Sequence, residues 1–215
     1  MSNDQIVKKF QKWIGEAFDS ETVFKEHSIT QDDIDNLREL LASSEYVPKA
    51  MIDKFFIMGL VTCENNVDKS VNLFHNYCKL MKETPEWFTN RDVESLEVQQ
   101  AFDNQYYLSL PPIPGKNYHL IYHALSNFEP KNYIFDEAEK TFLMSIEAAM
   151  YHDGPRNGVV FLFDMKGTKI GHVFRPKLRS LRQLFKFIDY GCPFNIREVR
   201  TDLKILIKFF KFVKT

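Results

Sequence analysis

The stretch Arg156–Val173, RNGVVFLFDMKGTKIGHV, decides the fold. It reads as a turn, a fully apolar run, an abrupt Asp-Met-Lys-Gly turn, and a second segment that contains a histidine. Val159–Phe163 is short, rich in β-forming residues and bounded by Gly158 and Asp164, which is the pattern of a buried strand. Apolar character on both faces places such a strand in a mainly parallel sheet covered by helices. A strand of this kind that ends in a carboxylate and a glycine fits two sites. One is a nucleotide site at the strand end. The other is the floor of a pocket for an apolar molecule.

The segments on either side extend the pattern. Tyr118–Ala124, YHLIYHA, is strand-like. Asp136–Tyr151 is helical, with Ala138, Phe142, Ser145 and Ala149 along one face, and Leu178–Tyr190 is helical again. PPIPG, Pro111–Gly115, marks a rigid boundary, and residues 90–105 before it are acidic and polar. The N-terminal part is helical throughout. Ile6, Phe10, Trp13, Ile14 and Phe18 form one apolar stripe. Thr30 and Asp33 resemble a capping box ahead of Ile34, Leu37, Leu40 and Leu41. Helices follow over Lys49–Leu60 and Val67–Lys82, with Pro85 closing the latter. The order is helices, then β-α-β-α. We therefore expect an α/β protein with a helical module over residues 1–104 and a sheet domain over residues 105–215.

Composition narrows the partners. Residues 166–215 carry 13 Lys+Arg against 3 Asp+Glu, whereas residues 1–165 carry 15 against 26. That asymmetry points to an anionic partner, either nucleic acid or anionic lipid. The three cysteines form no CxxC pair and have no zinc-ligand spacing, which fits free thiols in a reducing, cytosolic compartment. The first ten residues lack the apolar core of a secretory signal, and no run approaches the ~20 apolar residues that cross a bilayer.

Chemistry-bearing residues are few. His119 and His123 share one strand face and could hold a metal, but no third ligand is near them in sequence. Strand histidines bonded to neighbouring polar groups are favoured. Ser145 lacks the GxSxG elbow. Asp164-Met-Lys-Gly167 lacks the glycines of a phosphate cradle, so Asp164 reads as a turn residue that caps backbone N–H groups, with Gly167 at positive φ. We expect no catalytic constellation, no cofactor and no metal. In the final TDLKILIKFFKFVKT, Lys204, Lys208 and Lys211 form one basic stripe on an apolar helix. That is the pattern of a membrane-surface helix, and equally that of a core helix with a solvated lysine face.

Three stretches together resemble the CRAL-TRIO lipid-transfer family, in particular its alpha-tocopherol-transfer-protein-like and cellular-retinaldehyde-binding-protein-like branches. The first, Cys63–Asp92, is similar to the family's N-terminal helical module with its PE-x-F segment. The second, Leu125–Val173, is similar to its first pocket helix and its G-x-x-x-x-x-D-x-x-G strand and turn. The third, Asp189–Val199 (DYGCPFNIREV), is similar to its short proline segment. Gly158, Asp164, Gly167, His172 and Pro193 keep the family spacing.

The resemblance implies a non-enzymatic protein that binds a hydrophobic small molecule and carries it between membranes. The ligand class would be a tocopherol, retinoid, carotenoid or phosphoinositide-type lipid. The strand Val159–Phe163 would then floor the cavity. Ligand-facing positions fall on Ala138, Thr141 and Ser145 of the pocket helix and on Val159 and Phe163 of the strand. Further on they fall on Leu184, Phe187, Ile188, Cys192 and Phe194. This set is uncharged and suits an apolar ligand with one hydroxyl, held by Ser145 or Thr141. A headgroup-binding position falls on Arg197, with Lys204, Lys208 and Lys211 meeting anionic, phosphoinositide-containing membranes. The implied protein is cytoplasmic, peripherally membrane-associated, and has no nucleic-acid partner. Nothing in the sequence specifies an oligomeric state.

Two departures from the pattern stand out. GLVTCE places Val61 and Glu64 where the family has basic residues. The strand and loop expected between the proline segment and the gate helix are missing, which implies a C-terminally shortened, incomplete domain with an open sheet edge. The alternative function is a regulatory or protein-interaction fragment without lipid exchange.

Overall fold

The computed structural model describes residues 18–112 and 114–201. The stripe from Ile6 to Ile14 and the basic tail with Lys204, Lys208 and Lys211 lie outside the described residues.

Four helices build the N-terminal module: α1 (Ser20–His27), α2 (Gln31–Leu41), α3 (Asp53–Thr62) and α4 (Val67–Glu83). The capping box expected at Thr30 is present. The Asp33 carboxylate accepts from Thr30 N at 2.8 Å, and Asp33 N donates to Thr30 Oγ1 at 3.3 Å. Ile34, Leu37 and Leu41 of α2 are buried, whereas Leu40 points outward. Helix α3 is buried at every position from Phe55 to Val61, so it forms the centre of the module with no solvated face. Gly59 is what allows α4 to lie against it, because a Cβ there would sit 2.4 Å from the Phe74 ring. Pro85 does close α4, and it then opens the short helix α5 (Pro85–Phe88), which delivers Trp87 and Phe88 to the core.

Helix α6 (Leu96–Asn104) leads directly into a four-stranded sheet in the order β1 (Gln105–Leu110), β2 (His119–Leu125), β3 (Val159–Asp164), β4 (Ile196–Thr201). Helix α7 (Phe135–Asp153) connects β2 to β3. The short α8 (Ile170–Val173) and α9 (Leu178–Lys186) connect β3 to β4, and α9 ends in a π-helical turn, Phe187–Gly191. Strand β1 pairs antiparallel with β2, and the two remaining pairs are parallel. The sheet is mainly parallel and flanked by helices, as the sequence implies.

The rigid Pro111–Gly115 segment falls between β1 and β2, so β1 precedes it in the chain and pairs antiparallel with β2 beyond it. The proline segment itself runs into β4, whose Phe161↔Val199 and Phe163↔Thr201 register sets it beside β3; the strand and loop expected between that segment and a gate helix fall on residues outside those described. The apolar core runs without a break from α2–α4 into Val159, Phe161, Phe187 and Phe194. Thr62 of α3 donates its hydroxyl to the Pro193 carbonyl at 2.7 Å, which ties the helical module to the segment that starts β4.

Candidate ligand-binding site

Strand periodicity puts Gln105, Tyr107, Ile121, His123, Val159, Phe161 and Phe163 on one face of the sheet, with Tyr107, His123 and Phe163 side by side across three strands. Helix α7 covers this face through Phe142. Its ring lies 5.7 Å from Tyr107, 5.2 Å from Phe161 and 6.3 Å from Phe163. Aromatic contacts then continue from Phe161 to Phe194 at 6.1 Å and from Phe194 to Phe187 at 6.2 Å. The face is a continuous aromatic surface that stretches from β1 to the π turn.

A polar chain crosses its β1 side. His123 Nε2 lies 3.2 Å from Gln105 Oε1, Gln105 Nε2 donates to Thr141 Oγ1 at 3.1 Å, and Thr141 donates to the α7 backbone. Burial pushes His123 down to about 4, so the imidazole is neutral at pH 7. Burial also raises Glu139 of α7 to about 8, with Asp136 adding repulsion, so that carboxyl carries a proton at pH 7. The Cys192 thiol is likewise pushed well up by burial and donates to the Phe194 carbonyl at 3.0 Å. Burial thus disfavours charge on His123, Glu139 and Cys192, which suits an uncharged ligand body.

Of the positions implied by resemblance, Ala138, Thr141, Val159, Phe187, Cys192 and Phe194 are buried. Ser145, Phe163 and Leu184 are half-buried, and Ile188 is exposed. The hydroxyls divide by role. Thr141 is fully enclosed in the polar chain, whereas Ser145 donates to the Thr141 carbonyl at 2.8 Å and keeps its lone pairs at a partly open surface. The aromatic contacts join Phe163, Phe194 and Phe187 through Phe161, a residue that the resemblance did not mark. Period-two alternation between Val159 and Phe163 was the signal that could have found it.

Arg197 has protein partners. Its guanidinium pairs with Glu64 at 2.9 Å, donates to the Asn157 carbonyl at 2.9 Å and lies over the Tyr118 ring. Glu64 is the acidic residue that stands where a basic one was expected, so this departure from the family pattern pairs across the module junction with Arg197.

Helix α9 is turned inside out. Ser180, Gln183 and, one turn on, Phe187 form its buried stripe, whereas Leu178 and Phe185 are more than 60% exposed and Leu181 and Leu184 are half-buried. Its basic flank is anchored, with Lys186 near Glu83 and Arg179 donating to the Glu83 carbonyl at 2.9 Å. An amphipathic helix ordinarily buries its apolar face. Here the packing displays that face.

Asp164 is a turn residue, as read from the sequence. Its carboxylate accepts from Lys166 N at 2.8 Å and from the Tyr122 hydroxyl at 2.9 Å, and these bonds hold it below the usual carboxylate range. Gly167 follows at φ +77°. Asp164→Asn keeps one acceptor for the turn. We expect it to fold normally and to bind ligand within about twofold of wild type, since this exposed pair contributes little. A folded variant that has lost ligand binding would move Asp164 into the site.

A helical module, a mainly parallel sheet and an uncharged aromatic face enclosed by the pocket helix define a CRAL/TRIO-type architecture. Residues 114–199 match the model of the CRAL/TRIO domain, and residues 26–98 match that of the Pinta-like UBA domain. Residues 114–199 thus form a CRAL/TRIO domain, which at a coarse level supports a lipid-binding or lipid-transfer protein. No curated protein matches the chain.

Proposed function

We propose that this protein binds a hydrophobic small molecule of the tocopherol, retinoid, carotenoid or phosphoinositide-type class and carries it between membranes without chemical turnover. The outward apolar face of α9 carries this reading. Leu181 and Leu184 pack half-buried against the apolar core, and Phe185 and Ile188 continue the same stripe in the open. An apolar ligand covering such a surface gains ~25 cal/mol for each Å² removed from water. The neutral state of Glu139, His123 and Cys192 supports an uncharged ligand body. Among the described residues no helix is long and apolar enough to cross a membrane.

Docking to an anionic membrane belongs to the same proposal. Ile170, Phe174, Leu178 and Phe185 are exposed, and Lys169, Arg175, Lys177 and Arg182 are interleaved with them. Apolar side chains ringed by cations suit the headgroup boundary of a bilayer. Co-sedimentation should increase when phosphoinositide is added to phosphatidylcholine vesicles, and the gain should fall with salt. Replacing Lys204, Lys208 and Lys211 by glutamine should remove up to ~3 kcal/mol of that preference, at ~1 kcal/mol per charge. Equal binding to both vesicle types at low salt would count against membrane docking. The carrier reading itself is tested by native mass spectrometry with extraction of any bound lipid. A chain that neither retains nor takes up lipid would favour a regulatory or protein-interaction role.

A further inference from the structure

The polar chain beneath the aromatic face has a fixed order of protons. Main-chain carbonyls only accept, so the Thr141 hydroxyl, 3.0 Å from the Glu137 oxygen and 3.1 Å from the Ala138 oxygen, gives its proton to the helix. The Tyr107 hydroxyl likewise donates to the Ala138 carbonyl, at 3.0 Å. Thr141 Oγ1 is left as an acceptor and takes the Gln105 Nε2 proton. The Gln105 amide must then turn its oxygen toward His123, so His123 Nε2 carries the imidazole's proton. Nδ1 of the same ring is a bare lone pair. It is buried and has no hydrogen-bond partner among the described residues. Its ring lies 5.0 Å from the Tyr107 ring and 5.3 Å from the Phe163 ring, on the face described above. A buried acceptor without a donor is unfavourable, so the empty lone pair has to be accounted for.

We infer that His123 Nδ1 is the polar anchor of the ligand face and accepts a hydrogen bond from the hydroxyl of an otherwise apolar alcohol or phenol. This rests on the apolar-ligand reading proposed above and sharpens it. Lipids whose polar end only accepts, such as aldehydes, ketones, esters and ethers, meet lone pair with lone pair at this atom. The Thr141 hydroxyl cannot fill the same role as freely, because its oxygen already accepts the Gln105 amide proton, and the Ser145 lone pairs lie at a partly open surface rather than buried and in need of a donor. Phe163 is the half-buried ring beside the imidazole, 5.3 Å away.

Two matched pairs of probes test the anchor on the full chain: retinol with retinyl methyl ether, and α-tocopherol with its methyl ether. Titrations followed by tryptophan quenching should give the hydroxyl member about tenfold tighter binding, the worth of one buried hydrogen bond. His123→Phe should abolish that preference, so that the alcohol and its ether bind equally. Equal affinities in wild type, or a preference that survives in His123→Phe, overturn the anchor and leave the apolar-ligand reading standing. Binding of no member of either pair overturns that reading, and the anchor with it. Imidazole ¹⁵N shifts of the unsubstituted protein give a check that needs no variant. They should show an unprotonated Nδ1 and a protonated Nε2 at pH 7, and the opposite tautomer would refute the assignment.

Discussion

Phe163→Asp is expected to abolish ligand binding while leaving the chain folded. Phe163 is half-buried against Phe142, Phe161 and His123, and so is reachable from the surface while it packs in the aromatic row. A carboxylate at this point either stays ionised in an apolar surface or draws a proton onto His123. The first course carries a desolvation cost of several kcal/mol. The second replaces the free lone pair with an ion pair and closes the anchor. Either way a hydrophobic ligand loses its seat, and affinity for a fluorescent tocopherol or retinoid analogue should fall more than about 100-fold, which is ~2.7 kcal/mol. Phe163→Leu, which keeps the apolar surface, should stay within about tenfold of wild type. Unchanged binding by Phe163→Asp would remove this sheet face from consideration as the site.

Arg91→Ala should produce the largest loss of stability. The Arg91 guanidinium donates to Glu147 Oε2 at 2.6 Å and to the Trp87 carbonyl at 2.8 Å, and it lies 4.9 Å over the Phe88 ring. The two charged side chains are only 17% and 12% exposed. Trp87 in turn donates its indole N–H to Asp136 at 3.1 Å. These contacts fasten α5, at the end of the helical module, to α7, the helix that covers the ligand face. Removing the arginine leaves Glu147 largely buried without a counter-charge, a loss of about 3 kcal/mol. For a chain of this size that lowers Tm by roughly 6–12 °C. The double variant Arg91→Met with Glu147→Leu should recover most of it, because no buried charge remains. Calorimetry that finds less than about 1 kcal/mol for the single change would show that α5 does not brace α7.

Much of this arrangement was legible in the sequence. The Val159–Phe163 run, the pocket helix and the Thr30 cap all carried strong local signals, because burial on both faces or an explicit capping pair fixes the pattern. Strand β1 was hidden because QYYLSL inverts the usual alternation. Its buried member is Gln105, whereas Tyr106 and Leu108 are half exposed. Strand β4 was hidden because IREVRT is an edge strand with charged residues at three of its six positions, so it lacks the apolar run of its neighbour. The polar anchor could not be read at all. His123 looked like half of a metal pair with His119, but His119 is spent on the Gly154 carbonyl at 3.0 Å. The partner that orients His123 comes from Gln105, on the strand the sequence concealed.

The strand order β1-β2-β3-β4 repeats the order of the chain, so no strand is ever inserted between two that precede it. Each crossover adds one strand to the edge just completed, and each pairing waits only for the helix immediately before it. Loop closure is therefore met in short instalments rather than in one long-range step, which favours fast folding for a sheet of this kind. A chain emerging from the ribosome can lay down the helical module, then the β1–β2 hairpin, then β3 under α7, before β4 is made. The Tyr107–His123–Phe163 row and its polar chain are in place by that stage, because β1, β2 and β3 supply the rings and β1, β2 and α7 supply Gln105, His123 and Thr141. What β4 adds comes last, as the outer border of a binding surface that is already built.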